Sequence, residues 1–363
     1  MKVLFIARST LYKNKGGDTT QLLNTAAGLR LLGIDVDVKL TNEKMDYGPY
    51  DLLHFFNIIR PADILKHIRL SGKPYVVSTI FVDYSEFDKL ARKGLSRFLF
   101  RLLSRDGIEY LKVVARALLS NEKIASPAYL LQGQRRSIGR IIRGASLLLP
   151  NSVSEYERLR RHYGIAQNYR MIPNAIDPAI FSPLVPEAPR EEGLVLCVGR
   201  IEGLKNQLNL IRALKGSPYH LLIIGSAATN QQGYYELCRQ EAGPSVSFLE
   251  GVPQEALADH YARARVHVLP SWFETTGLST LEAAAMGCTI VITKKGDQQE
   301  YFGDHAFYCD PADPGSILAA VDRAMKAQPD GALQRKIRTD YTWQRAAERT
   351  AAAYREIPLL KGK

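Results

Sequence analysis

Short apolar runs alternate with helical patterns along the whole chain, which is typical of parallel β-sheets covered by helices. In the first half, these runs predict strands near residues 2–7, 34–40, 51–56, 74–79, 145–149 and 169–172. In the second half, the pattern restarts with predicted strands near residues 194–198, 220–224, 246–249, 266–269 and 289–292. The fold class is therefore predicted to be α/β, with two Rossmann-like parallel-sheet domains.

The domain boundary is predicted from length and proline content. A chain of 363 residues is too long for one ordinary core and fits two domains. Three prolines interrupt a helix-poor stretch, so the linker is placed at about residues 182–192. The predicted domains are residues 1–182 and 190–342, and the alanine- and arginine-rich segment 343–363 is predicted to be a terminal helix.

A candidate site lies where a predicted strand passes through a turn into a helix. Residues 278–286 predict a helix that ends at Gly287. The backbone N–H groups at the start of this helix carry the positive end of its dipole and suit phosphate oxygens. Glu274 and Glu282 flank the turn, where their carboxylates can accept hydrogen bonds from sugar hydroxyls. The layout favours a phosphorylated sugar, and the alternative is two ordinary glutamates of a helix and its preceding loop.

A second loop carries positive charge. Arg200 and Lys205 follow the apolar run 194–198. In an open parallel sheet, ligands bind outside the carboxyl ends of the strands, so this loop and the Glu274 loop are expected to open on one crevice. A guanidinium and an ammonium group there would neutralise a departing diphosphate. The alternative is a solvated arginine and lysine.

Several short motifs follow one another along nearly the whole chain. They are Gly16-Gly17, Asp51–His54, Pro150–Ser152, Ile172–Asp177, Gly199-Arg200, Lys205-Asn206, the pair of Glu274 and Glu282, and Trp343. In these motifs the chain resembles the retaining GT-B fold glycosyltransferases of family 4. The resemblance implies an acceptor-binding first domain that faces a donor-binding second domain across a cleft. It also implies that the terminal helix 343–363 packs back onto the first domain.

The resemblance implies an activity and roles for individual residues. A hexose-type sugar moves with retention from a UDP- or GDP-sugar to a hydroxyl of a glycan or lipid-linked acceptor, without metal or cofactor, in cell-surface polysaccharide or glycolipid synthesis. Arg200 and Lys205 stabilise the leaving diphosphate. Glu274 orients the transferred sugar, and Glu282 holds the donor ribose. The other implied donor-binding residues are Gly16, Gly17, Val252, Thr275, Thr276, Gly277 and Leu278.

The acceptor side departs from the family pattern. Many relatives carry a histidine just after the strand near residues 74–79, whereas Phe81 stands at the aligned position here. His54, Asp83 and Tyr84 are the candidate acceptor contacts, although a lone histidine is as often a satisfied core residue.

Two other functions stay open, namely a sugar-nucleotide epimerase on the same fold and a non-catalytic binding subunit of a polysaccharide assembly complex.

Basic charge is concentrated in one segment. The formal net charge is +11, and residues 89–143 contain 13 Lys and Arg against 3 Asp and Glu. Within it, a basic residue recurs every fourth position between apolar ones, which predicts a basic amphipathic helix with Lys93, Arg97, Arg101 and Arg105 on its polar face. Such a helix suits an anionic membrane surface, and the alternative is a solvated face packed on its domain. No nucleic-acid-binding motif accompanies it.

Composition bears on location. The 46% apolar and 23% charged residues are typical of a soluble globular protein, and no apolar stretch approaches a membrane-spanning length. The first residues favour a β-strand over a signal peptide. Four scattered cysteines without Cys-x-x-Cys spacing favour a reducing compartment. The predicted location is the cytoplasm, either free or peripheral on the inner face of the membrane.

Overall fold

The computed structural model of the chain describes residues 1–83, 106–108, 110–111, 127–182 and 190–358. The chain divides into two compact units, residues 1–173 with 343–363, and residues 174–342. The first unit therefore ends at residue 173, ahead of the boundary predicted at residue 182. The reason is that Ile176 and Phe181 belong to the hydrophobic core of the second unit. Much of the predicted linker, residues 183–189, lies outside the described residues.

The first unit is a parallel sheet with helices. Its elements are β1 (Lys2–Ala7), α1 (Gly17–Leu31), β2 (Asp35–Leu40), β3 (Leu52–Phe56), α2 (Pro61–Ser71), β4 (Tyr75–Ser78), α3 (Pro127–Gly144), β5 (Leu147–Leu148), α4 (Val153–Tyr163) and, at the end of the chain, α12 (Trp343–Arg355). The strands lie in the order β2-β1-β3-β4-β5. The strand predicted at residues 169–172 is wrong, since Tyr169 makes only an isolated bridge to Leu148.

The terminal helix α12 packs closely on α1 of the same unit. A Cβ atom added at Gly28 of α1 would lie 2.6 Å from the Cβ of Ala347 in α12. Glycine therefore allows the two helices to approach each other here. Tyr354 of α12 reaches the sheet, where its hydroxyl contacts His54 of β3.

The second unit repeats the pattern with a larger sheet. Its elements are β6 (Leu194–Val198), α5 (Gln207–Leu214), β7 (His220–Ile224), α6 (Gln232–Glu241), β8 (Val246–Leu249), α7 (Gln254–Arg263), β9 (Val266–Leu269), α8 (Leu278–Ala285), β10 (Thr289–Thr293), α9 (Gln298–Phe302), β11 (Ala306–Cys309), α10 (Pro314–Lys326) and α11 (Gly331–Asp340). The parallel strands lie in the order β11-β10-β9-β6-β7-β8.

Burial explains why most strands read as apolar runs in the sequence. All residues of β6, β9 and β10 are buried, as expected for central strands of a parallel sheet covered on both faces. The four cysteines are buried and form no disulfide. In the described part of the chain, no helix combines the length and the apolar character that crossing a bilayer requires.

Candidate functional site

The loops after β6 and β9 bring Lys205 and Glu274 together. Lys205 ends a one-turn 3-10 helix, and its ammonium group donates a hydrogen bond to the carboxylate of Glu274. The two side chains are 18% and 8% exposed, so this ion pair is largely screened from water. The backbone N–H of Trp272 donates to the carbonyl oxygen of Leu204 at 2.9 Å, which joins the two loops directly. The two predicted loops thus lie at one edge of the sheet.

The loop after β10 fixes the backbone of Glu274. The N–H of Glu274 donates to the carbonyl of Lys295 at 3.3 Å, and the N–H of Asp297 donates to the carbonyl of Glu274 at 2.8 Å. Between them lies Gly296, with a φ of 94°. A Cβ atom there would lie 2.0 Å from the carbonyl oxygen of Glu274. Only glycine fits this position, and no pattern in the sequence predicted its role.

The turn between Glu274 and α8 is held by two amide side chains. Gly277 precedes the helix with a φ of 74°, a conformation that favours glycine. Thr276 is buried; its hydroxyl accepts a hydrogen bond from Asn174 at 3.2 Å, and its carbonyl accepts one from Gln298 at 3.4 Å. The first N–H groups of α8 have no partner within the helix, so the turn presents them at the positive end of the dipole. Thr275 and Leu278 are half-buried beside it.

Glu282 lies inside α8, about two turns from Glu274 in sequence. It is buried, and its carboxylate accepts hydrogen bonds from the hydroxyl of Tyr261 at 2.9 Å and the amide of Gln254 at 3.3 Å. Burial raises the pKa of Glu282 from 4.5 to about 7, although both hydrogen bonds act in the opposite direction. This carboxyl group therefore changes its charge near neutral pH.

The remaining second-unit candidates are less enclosed. The guanidinium of Arg200 pairs with Glu202 at 3.1 Å, and 53% of its side chain is exposed. Val252 is half-buried and packs against the core of the unit. In the described residues, no group of three or more His, Cys, Asp or Glu side chains could hold a metal ion. Metal independence stays a prediction.

The glycine loop of the first unit is organised by an arginine that was not among the predicted site residues. Gly16 and Gly17 open α1 as predicted, with Gly16 in the N-cap position. Arg8 follows β1, and its guanidinium binds Asp18 at 2.7 Å and the carbonyl oxygen of Asn14 at 2.6 Å. The side chain of Arg8 is only 12% exposed. Its charge is therefore used to shape the loop that leads to the two glycines.

The acceptor-side prediction for His54 is corrected by its position. His54 is buried, and its ring nitrogens contact the hydroxyls of Tyr354 at 2.6 Å and Ser78 at 2.8 Å. Burial lowers the pKa of His54 to about 3, so the ring is neutral. His54 is therefore a buried core residue with both ring nitrogens in hydrogen bonds, which is the alternative interpretation of the sequence.

The residue at the family histidine position is also a core residue. Phe81 is fully buried and packs near Tyr163, with their ring centroids 5.8 Å apart. Asp83 is half-buried. The other acceptor and membrane candidates lie outside the described residues; they are Tyr84, Lys93, Arg97, Arg101 and Arg105.

The sequence is similar to a known family model and to several curated proteins. Residues 184–341 match the family model described as Glycosyl transferases group 1. O-antigen chain mannosyltransferase B of Escherichia coli is 27% identical over 49% of this chain and 52% of its own length. D-inositol 3-phosphate glycosyltransferase of Acidothermus cellulolyticus is 28% identical over 61% of this chain and 56% of its own length. The chain spans about half the length of these curated relatives.

Solved structures match over almost the whole chain. Sucrose-phosphate synthase from Thermosynechococcus elongatus superposes with a TM-score of 0.73 at 17% identity, covering 98% of both chains. Anabaena HepE, solved in complex with UDP and glucose, superposes with a TM-score of 0.70 at 17% identity, covering 98% of this chain and 100% of its own. These matches confirm the predicted fold class. The chain therefore has the two-unit parallel-sheet architecture of the GT-B fold, and residues 184–341 are similar to glycosyl transferases group 1.

Proposed function

We propose that the protein is a retaining, metal-independent glycosyltransferase of the family 4 type. It moves a hexose-type sugar from a nucleotide-diphosphate-sugar to a hydroxyl of a glycan or lipid-linked acceptor. The observation that carries this proposal is the ion pair of Lys205 and Glu274 beside the N-terminus of α8. It lies within the region that matches the group 1 family model.

The chemistry follows from what these groups can stabilise. As the bond to the sugar breaks, negative charge grows on the diphosphate, where the ammonium of Lys205 and the N–H groups of α8 are placed to bind it. Glu274 accepts hydrogen bonds from hydroxyls of the transferred sugar, and Glu282 accepts them from the ribose. The resting ion pair neutralises both side chains until the diphosphate brings a competing negative charge. The departing diphosphate takes the proton of the attacking hydroxyl.

Two of the similar proteins support a choice of donor and pathway. HepE was solved with UDP-glucose, which supports a UDP-sugar among the UDP- and GDP-sugar donors. The O-antigen mannosyltransferase supports synthesis of a cell-surface polysaccharide. An acceptor of this kind is consistent with a cytoplasmic protein that works at the inner face of the membrane.

The proposal is tested first by ligand binding and then by turnover. Thermal unfolding of the purified chain is measured with UDP-, GDP-, ADP- and dTDP-sugars in the absence of metal. A donor at about 100 times its Kd stabilises the folded protein by about 2.7 kcal/mol, so one sugar nucleotide is expected to raise the Tm selectively. Acceptor-dependent release of nucleotide from that donor then identifies a transferase. Interconversion of the sugar without release would identify an epimerase, and binding without either reaction a binding subunit.

Glu282 gives the donor affinity a pH dependence. Only the ionised carboxylate accepts hydrogen bonds from both ribose hydroxyls, so the affinity should fall about tenfold per pH unit below the pKa of about 7 and level off above it. Calorimetric titration with the selected nucleotide-sugar over this range checks the slope. Glu282→Gln should bind more weakly and without the slope, and a wild-type affinity independent of pH would contradict the assignment.

The same group has an opposite effect on the free protein. Its folded pKa of about 7 exceeds the ordinary value of 4.5, so the folded chain holds a proton that the unfolded chain has released. The contribution of Glu282 to the free energy of unfolding is fully present below about pH 4.5 and is lost as the pH rises through about 7. Ligand-free unfolding and donor binding thus respond to pH in opposite directions.

The basic segment is proposed to contact anionic lipid. Replacing Arg97, Arg101 and Arg105 with alanine should weaken binding to phosphatidylserine vesicles by about 1 kcal/mol per charge and leave nucleotide affinity unchanged. Vesicle co-sedimentation measures the change. A matched control removes three exposed basic residues of the second unit, namely Arg239, Arg323 and Lys326. Equal losses in both triple variants would reject a specific membrane-binding face.

A further inference from the structure

A buried carboxylate lies beneath the turn at the carboxyl end of β4. Glu155, in the first turn of α4, is fully buried. One of its oxygens accepts hydrogen bonds from the hydroxyl of Thr79 and from the backbone N–H of Phe81 at 2.8 Å. The other oxygen accepts the N–H of Asn151 at 3.0 Å. Donors from two loops therefore converge on one carboxylate.

The residue between the first two donors has a strained backbone. Ile80 has a φ of 44°, which is unfavourable for a β-branched side chain. Such strain persists only where the surroundings impose it, and it is concentrated at functional sites. The turn is held from other sides as well, since the carbonyl of Thr79 accepts the N–H of Ile58 at 2.9 Å and the carbonyl of Phe81 accepts the guanidinium of Arg158 at 2.7 Å.

The same carboxylate is connected to the glycine loop of the first unit. Asn151 exchanges two side-chain hydrogen bonds with Gln21 of α1, at 2.7 and 3.3 Å. The helix α1 begins at Gly17. Buried contacts thus link the segments that follow β1, β4 and β5 at their carboxyl ends. In an open parallel sheet this is the edge where ligands bind.

We propose that Glu155 is a positioning residue for the transfer reaction. By holding Ile80 in its strained conformation, it fixes the segment that leaves β4 towards Asp83, so that this segment orients the hydroxyl that attacks the sugar. Glu155 itself contacts no substrate. A carboxylate suits the task because the three groups described above each donate a hydrogen bond to it, whereas a glutamine would turn an NH₂ group towards at least one of them. This inference rests on the proposed function.

The test compares two glutamates of the same helix. Glu155→Gln is set against Glu157→Gln, whose side chain is 38% exposed and pairs with Arg160. Two quantities are measured on the full chain: hydrogen exchange at the Phe81 amide, and nucleotide release from the donor that thermal unfolding selects. For Glu155→Gln we expect at least about tenfold faster exchange and a kcat reduced about 10- to 100-fold, because small misplacements of reacting groups have effects of this size. The donor KM should stay unchanged, and Glu157→Gln should behave as wild type.

A second variant separates positioning from general stability. Glycine adopts a positive φ without strain, so Ile80→Gly in the Glu155→Gln background should restore most of the lost kcat. A merely structural Glu155 would lower the Tm without this rescue. If Glu155→Gln does not fold, Thr79→Val removes one hydrogen bond at nearly constant shape and should give the same changes at smaller size.

Two results would overturn the inference. One is wild-type protection of the Phe81 amide or a wild-type kcat in Glu155→Gln, and the other is a double variant that recovers no activity. Failure of the proposed function is seen separately, because it appears in the wild-type protein as the lack of nucleotide release from any donor.

Discussion

Lys205→Ala should reduce the turnover of the proposed transfer by about 100-fold, which is the usual effect of removing one electrostatic donor from a developing anion. The loss should fall on kcat at saturating donor, because the charge that Lys205 neutralises grows as the diphosphate departs. Removing the ammonium also leaves Glu274 without its ion-pair partner at a side chain that is only 8% exposed. Some loss of thermal stability should therefore accompany the loss of turnover.

The control for this variant is a lysine just after the adjoining helix. Lys215 follows α5 and is exposed, so Lys215→Ala removes the same charge without touching the site. Steady-state rates of nucleotide release and thermal unfolding are measured for both variants. Lys205→Met provides a further comparison, since it keeps the length of the side chain and loses the charge. A kcat of Lys205→Ala equal to that of Lys215→Ala would remove Lys205 from the mechanism.

Strands that are buried along their whole length were the easiest to predict from the sequence. Central strands of a parallel sheet lie between two layers of helices, so their sequences are continuous apolar runs that are easily recognised. The short, partly buried edge strand β11 was missed, whereas β8 at the opposite edge was predicted although it is no better buried. Residues 169–172 were wrongly predicted to be a strand, because this extended segment beside β5 forms a single bridge and no ladder.

The sequence predicts only those parts of the candidate site whose residues lie close together along the chain. Glu274, Glu282 and the following glycine turn share one stretch of sequence, so their arrangement follows from a strand, a turn and a helix. Contacts between distant segments leave no such pattern. Gln298 holds the carbonyl of Thr276 through a contact that only the fold creates.

The same limit applies to the buried polar residues of the first unit. Glu155 binds groups from the β4 turn more than 70 residues earlier in the chain. In the sequence it is one glutamate of a charged helix, with nothing to distinguish it from Glu157. For His54 the neighbouring apolar residues of β3 were a usable signal, since every residue of that strand is buried. A histidine within such a run is better predicted as a core residue than as a ligand.

Gly296→Ala should strongly destabilise the folded state of the second unit. The added Cβ would meet the backbone of Glu274 at 2.0 Å, and backbone cannot move aside as a flexible side chain can. The φ of 94° adds strain for any residue with a Cβ. Together the clash and the strain should lower the free energy of unfolding by about 3 kcal/mol. Because the displaced backbone is that of Glu274, donor affinity should fall as well.

A second glycine separates the clash from the strain. Gly216 has a similar positive φ of 78°, and a Cβ added there would meet no atom within 4 Å. Gly216→Ala should therefore lower the free energy of unfolding by only about 1 kcal/mol and leave donor binding intact. Chemical denaturation and donor titration of both variants give the comparison. Equal destabilisation of the two would show that backbone strain alone explains Gly296, whereas a larger loss with weakened binding would assign to this glycine the close approach that holds Glu274 in the site.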